Sequence, residues 1–151
     1  MPGHREAPRG GLLECRIPTA RLRTPRSTVR IARSEFEELV EEALAGIPED
    51  FREKLENVDV FVEDRPSAAE RRELGLRPGE TVFGVYRGAP VQDSAYGSRL
   101  ELPNSITIYR KPFERTCRSR QEIIHEVRRT VLHEVGHHFG MSEARLRELG
   151  Y

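Results

Sequence analysis

The chain has 151 residues, with 25 basic and 25 acidic side chains and a formal net charge of zero. That length suits one domain, and the composition, 36% hydrophobic and 33% charged, is that of a water-soluble chain. No apolar run approaches the roughly 20 residues of a membrane helix, and no apolar core follows the basic N-terminus as a secretory signal requires. Two cysteines, Cys15 and Cys117, make neither a disulfide framework nor a four-cysteine zinc site. A reduced, cytoplasmic setting is expected, with no membrane partner.

The zero conceals an asymmetry. Residues 1–33 hold eight arginines and two glutamates, a net of +6, so residues 34–151 carry −6. Pro2, Pro8, Pro18 and Pro25 interrupt this basic segment, and Leu12, Leu13 and Ile17 follow no sustained period. Residues 1–33 therefore read as a disordered Arg/Pro-rich tail, either a solvated arm or a contact for nucleic acid. No aromatics interleave with the charges as single-strand binding favours.

Order is expected from Ser34, where Ser34 and Glu37 have capping-box spacing. Phe36, Leu39, Val40, Ala43 and Leu44 then recur as on an amphipathic helix, stopped by Gly46 and Pro48. A short helix is expected over Glu49 to Leu55. Val58, Val60 and Val62 alternate with Asp59, Phe61 and Glu63 as in a strand. Ser67 and Glu70 form a second capping box, opening a helix to Leu74, and Pro78-Gly79 is a turn. Thr81 to Arg87 reads as a strand, residues 88–104 as a long polar loop, and Ser105 to Arg110 as a third strand with Ile106 and Ile108 on one face. Ser119 and Glu122 cap a long helix from Arg120 to about Phe139. Gly140 ends it, and Ser142 caps a last short helix through Leu149.

The long helix carries His133-Glu134-Val135-Gly136-His137, an H-E-x-x-H motif. Residues i and i+4 lie about 40° apart and one turn along, so both imidazoles reach one ion. Zinc takes such nitrogens in a tetrahedral shell. Glu134, about 100° round from His133, stands beside the position of a metal-bound water and can serve as general base. On the helix wheel Ile124, Val127, Val131 and Val135 cluster, and His133 and His137 fall roughly opposite, towards a cleft or solvent. Gly140 lets the chain turn, and Glu143, six residues after His137, completes H-E-x-x-H-x-x-G-x-x-E. Glu143 is the expected third ligand, directly or through water, the alternative being that it only sits nearby. His138 competes for that place, but lies about 100° round from His137. His125-Glu126 precedes His133 by eight residues, about 12 Å along the axis, and cannot share the ion.

The run from His133 to Glu143 resembles the small bacterial zincin-like metallopeptidase family, the minimal zincins. Ser34 to Phe51, the strand near Val60, Leu74-Gly75-Leu76 with Pro78-Gly79-Glu80-Thr81, Ile106-Thr107-Ile108-Tyr109-Arg110 and Leu149-Gly150-Tyr151 extend the resemblance over about residues 34–151. It implies an α+β fold, a short mixed sheet of about three strands backed by the motif helix. It also implies a Zn2+ site, peptidase activity and a peptide or protein substrate. Where the Asp-zincins place an aspartate, this chain has Glu143, one methylene longer. Tyr109, Arg110 and Tyr151 are the residues the resemblance suggests for oxyanion stabilisation. The resemblance also suggests the strand Ser105 to Tyr109 as an edge on which an extended peptide could dock. The competing reading is a zinc-stabilised binding module without catalysis.

Overall fold

The computed structural model describes residues 12–16, 29–88 and 104–150. Four strands, β1 (Leu12–Arg16), β2 (Val58–Glu63), β3 (Val82–Arg87) and β4 (Asn104–Tyr109), form one mixed sheet in the order β1-β3-β4-β2. β3 is antiparallel to both of its neighbours, and β2 runs parallel to β4. Among the described residues six helices complete the α+β fold: α1 (Arg33–Ala45), α2 (Glu49–Leu55), α3 (Ala68–Glu73), α4 (Arg110–Thr116), α5 (Arg120–His138) and α6 (Glu143–Glu148). None is long and apolar enough to cross a membrane.

The main core lies between one sheet face and α5, which also packs on α1. Ile106 and Ile108 enter it from β4 on the shared face their alternation predicts. Phe113 of α4 ties the layers together, with ring centroids 5.5 Å from Phe36 of α1 and 4.5 Å from Phe83 of β3. The opposite sheet face supports a smaller cluster of Leu74, Val82, Val85 and Tyr109. The β1–β3 register shifts between Cys15 and Arg16, where the partner changes from Gly84 to Val82. The extra residue, Phe83, breaks the two-residue alternation. Phe83 and Tyr86, an odd number apart, therefore both reach the main core.

The segment expected to be disordered is corrected at two places. Leu12–Arg16 is a strand on the edge of β3, and Ile31 is a core residue at 2% exposure. The charge of Arg16 and Arg33 is partly spent within the fold. Arg16 Nη2 donates to Leu74 O at 2.9 Å, and Arg33 Nη2 to Val62 O at 2.7 Å. The remaining tail residues up to 28, and loop residues 89–103, lie outside the described residues.

The burial of Ile31 also moves the start of α1. Its amide donates to Glu114 Oε1 at 2.9 Å, and its carbonyl accepts from Arg110 Nη1 at 2.5 Å. The chain is thus held upstream of Ser34, and the helix begins at Arg33 with Ala32 as N-cap and no side-chain cap bond. The Ser34 capping box does not form. The other caps do: Ser67 and Glu70 exchange both bonds, Ser119 Oγ accepts from Glu122 N, and Ser142 Oγ from Arg145 N. At Ser119 the reciprocal bond moves one residue upstream, since Glu122 Oε2 accepts from Arg118 N.

β4 lies between β3 and β2, so Ser105 to Tyr109 is an interior strand and not the docking edge expected of it. It runs directly into α4, whose Pro112 sits in the first turn, where a missing amide costs no helical bond.

Candidate metal centre

α5 spans 19 residues, about 28 Å at 1.5 Å per residue. Ile123, Val127, Val131, Leu132 and Val135 bury it against the sheet and α1. Its last turn closes with a left-handed glycine. Gly140 has φ +76°, its amide donates to His137 O at 3.1 Å, and the Met141 amide donates to Gly136 O at 2.8 Å. This pair of bonds is a Schellman cap. It turns the chain so that α6, starting at Glu143, comes back beside α5.

Gly136 lets α6 approach. A Cβ there would stand 2.9 Å from Leu146 Cδ2, and Leu146 is fully buried. The motif counts position 136 as a spacer, so sequence reasoning passed over it. Its signal was the glycine itself, in a helix interior where glycine costs about 1 kcal/mol relative to alanine.

The result is a convergence of three side chains. One ligand atom from each of His133, His137 and Glu143 lies within 4.8 Å of the others. His137 Nε2 is 2.9 Å from Glu143 Oε1, and His133 Nδ1 is 3.8 Å from the same oxygen. The imidazole centroids are 5.9 Å apart. Exposure is graded across the set: 17% for the His133 side chain, 37% for His137 and 53% for Glu143. The helix wheel placed both histidines away from the buried stripe, yet His133 is largely enclosed, because α5 is covered on more than one side.

Burial holds the His133 imidazole below its usual pKa, and Arg129 and His137 add to this against the opposing pull of Glu143. The neutral ring, with a free lone pair, is the form that binds a metal. His133 Nε2 is buried with no hydrogen-bond partner among the described residues. Two imidazoles, one carboxylate and an unsatisfied buried ring nitrogen fit a zinc ion. Glu134 follows His133 on the helix, buried at 3% exposure and outside the convergent set of three.

His138 packs instead of converging. Its ring lies 4.4 Å from Tyr86 and 5.2 Å from Phe139, and burial lowers its pKa. His125 is exposed.

The suggested oxyanion groups lie elsewhere. Tyr109 belongs to the cluster on the far face of the sheet. Burial, reinforced by Glu70, pushes its pKa up to about 12. Arg110 is a clamp: Nε donates to Asp64 Oδ1 at 2.9 Å and Nη1 to Glu114 Oε1 at 2.9 Å. Tyr151 lies outside the described residues. Cys117, 1% exposed, is packed into the main core.

The profile of the zincin-like metallopeptidase family matches residues 55–151, every element from the end of α2 onward. The chain belongs to the zincin-like metallopeptidase family. It is also similar to a solved structure, a conserved hypothetical protein from Thermo thermophilus. The two are 32% identical, over 72% of this chain and 94% of that one, with a TM-score of 0.48. No curated protein matches the chain. The family implies a bound metal, and the three convergent side chains are where this zincin could hold it.

Proposed function

We propose that this protein is a zinc-dependent peptidase. The observation that carries the reading is the convergence of His133, His137 and Glu143 within 4.8 Å, the two histidines on a helix that also carries Glu134. His133, His137 and Glu143 would hold the ion, and when bound it supplies Lewis acidity and a water of near-neutral pKa.

The rest of the chemistry belongs to the chain. Glu134 accepts a proton as water attacks the peptide carbonyl and returns it to the leaving amine. Its burial, at 3% exposure, keeps competing water from the proton it holds. His133 is fixed by the packed helix, whereas Glu143 is brought by α6 and held through Gly140 and Gly136. A substrate peptide is the ligand that this site and the family support.

The test is cleavage of a peptide library by zinc-loaded wild type and Glu134→Gln. Cleavage by the wild type, with loss of turnover and retention of zinc in the variant, is the expected result. A zinc-loaded wild type that cleaves no peptide would refute the peptidase and leave the ion a structural role.

A further inference from the structure

A concave site lies apart from the convergent residues. It is a cavity of about 300 Å3, lined among others by Arg65, Arg71, Lys111 and Arg115, with Glu80 and Thr81. His133, Glu134, His137 and Glu143 are not among its walls.

Its charge runs against that of its surroundings. Residues 34–151 carry a net −6, yet four cations and one carboxylate line this cavity. The carboxylate is already engaged: Glu80 Oε2 accepts from the Arg77 amide at 3.0 Å and stands 3.9 Å from Arg16 Nη1. Arg71 is fixed by carbonyls. Nη1 donates to Glu80 O and Nη2 to Arg77 O, both at 2.9 Å, and the guanidinium forms no ion pair among the described residues. Lys111 Nζ donates to Glu114 Oε2 at 3.2 Å, but Glu114 also accepts from Arg110 and from the Ile31 amide. Arg65 and Arg115 are exposed and form no ion pair among the described residues.

A concave wall of guanidinium groups, one of them already oriented, recognises phosphoryl oxygens, whose several acceptors match the several N–H donors of arginine. The volume lies at the lower end of the range of small-ligand pockets, which begins at about 300 Å3. We propose that this cavity binds a small phosphomonoester, with Arg71 as the fixed donor and Arg65 and Arg115 closing on the phosphoryl group. The proposal is independent of the peptidase reading.

The probe is glycerol 3-phosphate, titrated calorimetrically into the full chain at constant ionic strength. Saturable binding is expected. Arg65→Ala/Arg115→Ala should weaken it by about tenfold or more, since two charge-assisted contacts are lost. His137→Ala should leave it unchanged, which separates the cavity from phosphate drawn to a metal. Thermal denaturation of the double variant checks that it is folded, and Arg115→Glu, with the opposite charge, should abolish binding. Absence of saturable binding by the wild type overturns the proposal. So does binding that survives in the folded double variant, or that follows His137.

Discussion

The turn at Gly140 gives the sharpest test of how the metal centre is built. Gly140 has φ +76°, and a Cβ built there meets nothing within 4 Å. Alanine therefore brings no clash, only the cost of the left-handed conformation, about 1–2 kcal/mol. Gly75 is a matched control, also left-handed (φ +64°) and also in open space, at the end of α3 and far from the histidines in sequence. At roughly 2–4 °C per kcal/mol for a chain of this size, each variant should lose a few degrees of melting temperature in its zinc-loaded form. Zinc affinity should separate them. In the metal-free protein, Gly140→Ala can relieve its strain by giving up the two cap bonds and letting α6 move off. Zinc binding must restore the turn to bring Glu143 back, so the same 1–2 kcal/mol appears as about a 5- to 30-fold weaker affinity. Gly75→Ala should bind zinc as the wild type does. A competitive chelator titration beside thermal melts measures both quantities. Wild-type zinc affinity in Gly140→Ala, or an equal loss in both variants, would refute the coupling between this cap and the third ligand.

Other perturbations have clear directions. Gly136→Val should push Leu146 outward and weaken zinc binding, because even a Cβ would stand 2.9 Å from Leu146 Cδ2; a chelator titration reads it. Arg110→Ala should cost about 3 kcal/mol in urea denaturation, since its 12%-exposed side chain joins Asp64, Glu114 and Ile31. Asp64 is held below the usual carboxylate range by its bond to Arg110. Burial alone would raise Glu114, but the Ile31 amide with Lys111 and Arg110 outweighs it and lowers its pKa. Both folded values are depressed. Their stabilisation is therefore complete above the unfolded carboxylate pKa, near 4, and is lost as pH falls through the folded values. Arg110→Ala should flatten that acid limb. Tyr109 has the opposite sign: its folded pKa is raised to about 12, so its contribution is intact below the unfolded value near 10 and disappears as pH rises through 12. Tyr109→Phe should remove most of this alkaline loss, followed by unfolding at stepped pH.

The convergence of His133, His137 and Glu143 was legible because its information is local. Residues i and i+4 of a helix share a face whatever surrounds them, and a glycine after the last turn followed by a serine cap reads as turn and new helix from the letters alone. The strands Val58–Glu63 and Asn104–Tyr109 were legible for the same reason, through alternation. What the sequence hid depends on distant partners. β1 is five residues long without a period, and its pairing on β3 arises between segments some 70 residues apart. The start of α1 is set by Ile31 and its bonds to Glu114 and Arg110, so a good local capping box at Ser34 is overridden. α4 escaped the sequence reading, being seven residues long with Pro112 in its first turn, where a helix accepts it. Gly136 matters through a side chain on another helix, which a motif written as spacing cannot express.

X-ray absorption at the zinc edge of the loaded protein reads whether two imidazoles and one carboxylate hold the ion. Two imidazole nitrogens at about 2.0–2.1 Å, with oxygen ligands beside them, are expected. His133→Ala and His137→Ala should each remove one imidazole signal, and Glu143→Ala should leave both while changing the oxygen shell. A spectrum showing sulfur from Cys117, or a shell unchanged in all three variants, would contradict this ligand set.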